Sequence, residues 1–106
     1  MTINMKNTIE EDLFGAISAL KEMRVSKERY LKVYLKLFSE TSDEFLKSQY
    51  HSMLKSGEEY FDSEIIKLKT NIEFIRNDML SDNTGYNGDY SESEVDALIE
   101  LYNNKV

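Results

Sequence analysis

Apolar residues in the first part of the chain recur every three or four positions, which is the spacing of one face of an α-helix. This pattern predicts a first helix over residues 8–24. Thr8 and Glu11 have the spacing of a capping box at its start. The repeating apolar residues are Ile9, Leu13, Ala16, Ile17 and Leu20.

A second helix is predicted to begin at Ser26, a residue type favoured at helix N-caps. Its apolar arc contains Tyr30, Leu31, Tyr34, Leu37 and Phe38. The polar stretch 39–42 predicts a break, because Thr41 and Glu44 form another capping-box pattern.

Residues 43–80 read as helical without a strong stop signal, and they predict a long third helix. Gly57 favours a bend or break within it, since glycine has a weak helix preference; an unbroken helix is the alternative. The earlier apolar set is Leu46, Tyr50, Met53 and Gly57. The later set is spaced as a heptad seam, which predicts self-association: Phe61, Ile65, Leu68, Ile72, Ile75 and Met79.

Residues 81–90 are rich in turn-forming types and predict a polar, mobile tether. A short last helix is predicted over residues 92–103, after a capping box formed by Ser91 and Glu94. The expected fold is all-α: a small antiparallel helical bundle with a long, bent third helix and a short acidic C-terminal helix. We expect one domain, with a bundle core at 1–80 and the tether and last helix at 81–106.

Composition adds an expected location. The chain has 106 residues, no cysteine and no proline. The first residues show no apolar leader, and no apolar run is long enough to span a membrane, so a cytoplasmic protein with no membrane partner is expected.

The net charge of −7 is unevenly distributed. Residues 1–41 carry seven cations and six anions, residues 42–80 five and eight, and residues 81–106 one and six. The acidity therefore lies mainly at the C-terminal end, and it opposes general affinity for nucleic acid.

The sequence offers no complete catalytic or metal-binding set. Common zinc sites need several His or Cys ligands, whereas the chain has no Cys and a single histidine, His51, which is interpreted as a rim residue. A calcium-loop alignment over 83–94 places Gly88 and Glu94 correctly but lacks acidic ligands at its first positions, and a plain loop is the simpler reading. We therefore predict no enzyme, no metal and no cofactor.

The leading hypothesis is a non-enzymatic helical binding protein, a homo-oligomer that acts by occupying another molecule. Its small size, acidity and composition are typical of a phage or mobile-element inhibitor or regulator of a host protein. The acidic last helix is the predicted contact with that partner. Its candidate residues are Glu92, Glu94, Asp96, Leu98, Glu100 and Leu101.

Two alternatives remain open. One is a self-assembling coiled-coil protein, a homo-oligomer built on the heptad seam. The other is sequestration of a small anionic ligand or nucleic acid by a basic helix face. The residues of that face are Arg24, Arg29, Lys32 and Lys36.

Overall fold

The computed structural model describes residues 5–80 and 90–105, with side chains described from residue 8 onward. These ranges form three α-helices and contain no strand: α1 (Met5–Glu40), α2 (Glu44–Leu80) and α3 (Glu92–Lys105). The all-α prediction is confirmed. The predicted tether, except for Tyr90, lies outside the described residues, as does most of the calcium-loop pattern.

Helix α1 begins earlier than predicted and runs without interruption through Ser26. The predicted start at Thr8 and the predicted break at Ser26 are both wrong. A serine inside a helix costs only about 0.5 kcal/mol relative to alanine, whereas a new helix end leaves backbone groups without intrahelical partners. Continuity is therefore the more stable solution here.

The cap of α2 is Asp43 rather than the predicted Thr41. The Asp43 carboxylate accepts a hydrogen bond from the Leu46 backbone N–H at 3.1 Å, and its carbonyl accepts the first helical bond from Lys47. The Thr41 hydroxyl instead accepts from the Asp43 N–H at 3.2 Å. The helix therefore begins two residues later than the Thr41 pattern predicts.

Helix α2 also continues through Gly57, so the favoured break is wrong. By contrast, the capping box of α3 is confirmed. The Ser91 N–H donates to the Glu94 carboxylate at 3.1 Å, and the Glu94 N–H donates to the Ser91 hydroxyl at 3.2 Å.

The chain forms two compact units. Unit 1 comprises Met1–Lys21 and Lys67–Val106, and unit 2 comprises Glu22–Ile66. Helices α1 and α2 each contribute a segment to both units, whereas α3 belongs to unit 1. The predicted division at residue 80 stays a prediction.

Unit 1 contains a hydrophobic core built from all three helices. Leu13 of α1, Met79 of α2 and Val95 of α3 are completely buried in it. Partly buried apolar residues of α2 and α3 pack around them: Ile72, Ile75, Leu80, Leu98, Ile99 and Tyr102. Here the third helix covers the apolar faces of the other two, as layer packing requires.

None of the described helices combines the length and the apolar character needed to cross a lipid bilayer.

Candidate functional site

Unit 2 is a pair of helical segments that meet through aromatic side chains. Tyr30 contacts Tyr34 and Phe61, with ring centroids 4.7 and 5.5 Å away, and Tyr34 lies 6.3 Å from Tyr50. Tyr34 follows Tyr30 in α1, whereas its neighbour Tyr50 precedes Phe61, the neighbour of Tyr30, in α2. The two segments therefore run in opposite directions. We call residues 22–66 the hairpin.

One close approach fixes the hairpin near its middle. The Tyr30 ring lies against the backbone at Gly57, where no side chain intervenes. The Tyr30 hydroxyl donates to the Met53 carbonyl at 3.1 Å. About one turn before Tyr30 in α1, Lys27 forms an ion pair with Asp62 of α2 at 2.6 Å.

The hairpin leaves its large apolar side chains poorly covered. All eight hydrophobic residues that the structure describes as buried lie in unit 1, and none lies at 22–66, every residue of which is described. Of the eleven large hydrophobic residues described as exposed, nine lie in the hairpin. Two helices alone cannot enclose apolar residues on more than one side, so the hairpin lacks the covering layer that α3 supplies in unit 1.

Five of the exposed residues lie on one side of the hairpin. In α1, Leu37 follows Tyr30 by about two turns and so lies on the same side of the helix as Tyr30. In α2, Met53 lies next to the Tyr30 hydroxyl, which donates to its carbonyl. Leu46 and Tyr60 lie about two turns before and after Met53 and share its side of α2. With Val33, one turn before Leu37, these residues form what we call the hairpin stripe: Val33, Leu37, Leu46, Met53 and Tyr60.

The residues of the hairpin stripe are between 37% (Leu37) and 57% (Tyr60) exposed. Contiguous exposed apolar side chains are typical of interaction surfaces, and Tyr and Met are enriched among residues that anchor protein interfaces. Exposed side chains of this kind are suited to contact with another apolar surface.

The two edges of the stripe differ in charge. On α1, Arg29 lies four residues before Val33 and Lys36 three residues after it, so both are its neighbours on the helix surface. On α2, the residues three positions after Leu46, Met53 and Tyr60 are uncharged and exposed: Gln49, Ser56 and Ser63. The α1 edge is cationic on both sides of Val33 and ends at Glu40, three residues after Leu37, whereas the α2 edge is neutral.

The predicted basic face is only partly brought together. Arg29, Lys32 and Lys36 are exposed and follow one another at three- and four-residue spacing along α1. Arg24 lies five residues before Arg29, which turns it about 140° away from that residue in an unbroken helix. Binding of an anionic ligand by these residues stays a prediction.

The acidic residues predicted to contact a partner are largely engaged within unit 1. Arg76 of α2 bonds Asp96 at 3.2 Å and Glu92 at 3.3 Å. Its hydrogen bonds with Asp96 and then with Glu92 raise the Arg76 pKa above its usual range. Glu94 caps its own helix, while Leu98 is half-buried against the core. Glu100 and Leu101 remain exposed.

The predicted self-association seam also finds neighbours inside the chain. Ile72, Ile75 and Met79 belong to or pack on the core of unit 1, and Phe61 contacts Tyr30 in the hairpin. Ile65 and Leu68 are half-buried. Self-association through this seam stays a prediction, but it would require these residues to leave their present contacts.

A second aromatic and acidic environment lies in unit 1. Tyr102 of α3 packs edge-on against Phe14 of α1, with ring centroids 5.2 Å apart. Burial, and secondly the charge of Glu10, raise the pKa of the Tyr102 phenol above its ordinary value. Glu10 also accepts a hydrogen bond from the Tyr90 hydroxyl at 2.8 Å. These contacts attach α3 to α1.

His51 is exposed on α2, with its ring 6.3 Å from the Phe38 ring. Among the described residues, no group of three or more His, Cys, Asp or Glu side chains could hold a metal ion. The absence of a catalytic role stays a prediction.

Sequence analysis missed the hairpin stripe because it placed Leu46 and Met53 in one seam with Tyr50 and Gly57. The structure separates their side chains: the Tyr50 ring and Gly57 face aromatic rings of α1, whereas the side chains of Leu46 and Met53 are exposed. The signal that could have indicated the stripe is the seven-residue spacing of Leu46, Met53 and Tyr60. Three positions after each of them stands an uncharged polar residue.

Comparison of the chain with family models, with curated proteins and with solved structures gives no match.

Proposed function

We propose that the protein is a non-enzymatic binding protein whose hairpin docks a helix of another protein. The observation that carries the proposal is the contrast between the units: unit 1 buries its core under a third helix, and the hairpin exposes nine large apolar side chains. Burial of apolar surface is the main favourable term in association, at about 25 cal/mol per Å². A partner helix on the hairpin stripe would remove this apolar surface from water, against the entropic cost of association.

The proposed consequence for the partner is regulation or inhibition, because a protein bound to a surface prevents other molecules from binding there.

The aromatic content of the hairpin supports a specific contact. Tyrosines give large contact areas at low entropic cost, and interface energy is concentrated in a few such residues. Tyr60, which is exposed beside Phe61 at a ring distance of 5.2 Å, is the best candidate anchor.

The test compares capture of proteins from cells that encode the chain by wild type and by two matched double variants. Val33→Ser with Tyr60→Ser changes two half-exposed residues of the stripe. Phe74→Ser with Leu101→Ser changes two exposed apolar residues of unit 1 and serves as the control. All four side chains are at least 46% exposed, so each variant should keep the helical circular dichroism of wild type.

The proposal predicts that the stripe variant loses a partner that both wild type and the control variant retain, with affinity at least about tenfold weaker. Equal capture by all three forms would contradict the proposal. Loss only in the control variant would do so as well, and would move the contact to unit 1.

A further inference from the structure

We propose that the occupant of the hairpin stripe is an amphipathic helix with acidic residues along one edge only. This inference rests on the proposed function and adds the chemistry of the partner. It follows from the different edges of the stripe, since Arg29 and Lys36 border it on α1 and uncharged residues border it on α2. A bound helix would therefore meet cations on one side and neutral groups on the other.

The cationic edge is short. Arg29 and Lys36 are seven residues apart, or about 10 Å along the helix axis, and Glu22 and Glu40 lie beyond them at either end. The complementary edge of the partner should thus carry its acids over about two turns and be uncharged or basic beyond them. Like charges at the ends would select the register of the bound helix.

Unit 1 contains a precedent for this mode of binding. Helix α3 presents Glu92 and Asp96, four residues apart on one edge, to Arg76 of α2. Its apolar side, with Val95 at the centre, packs into the core. The same helices α1 and α2 thus already hold one helix through an apolar contact bordered by acid–arginine pairs.

A second copy of the chain is the less favoured occupant. Packing two hairpins face to face would place Arg29 and Lys36 against their own counterparts or against the neutral edge formed by Gln49, Ser56 and Ser63. Over the central turns both cations then face like charges or neutral groups, and like charges across an interface are unfavourable. An acid-edged helix pairs them directly.

The experiment titrates the full chain with three labelled synthetic helical peptides. All three peptides have the same row of leucines on one face of the helix. They differ only at the central positions along one edge of that row, which carry Glu in the first peptide, Gln in the second and Lys in the third. Fluorescence anisotropy should give tighter binding for the Glu peptide than for the Gln peptide, and weakest binding for the Lys peptide. The Glu and Lys peptides should differ by about tenfold at low salt, and the difference should shrink as salt is added, because exposed charges are screened.

The order should reverse in Arg29→Glu with Lys36→Glu, because the cationic edge then becomes acidic and favours the Lys peptide. The wild-type order should persist in Lys55→Glu with Lys69→Glu, which changes the net charge equally at exposed positions away from the stripe. Equal binding of the Glu and Lys peptides, or an order unaffected by the Arg29 and Lys36 changes, would overturn the proposal while leaving capture through the stripe intact. A stable dimer in sedimentation that blocks peptide binding would also overturn it.

Discussion

The ring of Tyr30 occupies the space that a side chain at position 57 would need. A Cβ added to Gly57 would lie 2.7 Å from Cδ1 and 2.8 Å from Cζ of Tyr30, and closer still to Cε1. The ring has little freedom to retreat, because it packs against Tyr34 and Phe61 and its hydroxyl is bonded to the Met53 carbonyl. The glycine that suggested a helix break is instead the position against which the Tyr30 ring packs.

Gly57→Ala should therefore destabilise the hairpin, although alanine is the better helix former. Overpacking of this kind typically costs about 1–3 kcal/mol, more than the helix preference returns. Gly15→Ala is the matched control: a Cβ there meets nothing within 4 Å, so the change should stabilise by about 1 kcal/mol. Urea unfolding followed by circular dichroism measures both.

The same substitution in a Tyr30→Ala background separates the clash from other effects. With the ring absent, Gly57→Ala should become neutral or stabilising, because only the helix preference remains. If Gly57→Ala stabilises the wild-type chain, the close approach described here is wrong.

Charge reversal in α3 should affect the stability of unit 1 according to position. Asp96→Lys removes the stronger partner of Arg76 and places two cations together, so we expect a loss of about 1 kcal/mol, the upper range for exposed ion pairs. Glu100→Lys, at an exposed position of the same helix, should change thermal stability much less. Equal effects of the two changes would show that the Arg76 contacts do not hold α3 in place.

Tyr102 predicts a loss of stability at alkaline pH. Because burial and Glu10 raise its pKa, the folded chain holds the phenolic proton more tightly than the unfolded chain does. The stabilisation is fully present below the ordinary tyrosine pKa of about 10, and it is lost as the pH rises through the higher folded value. Tyr102→Phe keeps the ring against Phe14 and should flatten this decline.

Urea unfolding at about pH 8 and again above about pH 10 compares the two chains. Wild type should lose more stability than Tyr102→Phe between these conditions. An identical decline in both would mean that Tyr102 does not contribute to the alkaline effect.

The helical class was predictable from local pattern, whereas helix continuity was not. Serine is common at helix starts and glycine at helix breaks, so the local pattern predicts a helix start at Ser26 and a break at Gly57. The use of Gly57 becomes apparent only in the folded chain, where it lies against the ring of Tyr30, 27 positions away in the sequence. A single chain read along its length does not reveal such pairs.

The candidate site shows the same limit. Leu46 and Tyr50 both fit a helical apolar pattern, yet one lies on the flank and the other contacts Tyr34 of α1. Positions four residues apart differ by about 40° around a helix, and only the neighbouring helix determines which of them it covers. The pairing of Glu92 and Asp96 with Arg76 spans 16 and 20 residues, so the local pattern does not indicate it; contact of these acids with a partner stays a prediction.

Hydrogen–deuterium exchange across the whole chain, with and without the partner protein captured by wild type, tests whether a partner docks on the hairpin stripe. A helix docked on the stripe should slow exchange of amides at 22–66, where the described apolar side chains are least buried, and leave α3 nearly unchanged. Slower exchange confined to 90–105 would contradict the account and favour the acidic helix as the contact. If partner binding left the exchange rates of amides at 22–66 unchanged, docking on the hairpin stripe would be contradicted wherever else exchange slowed.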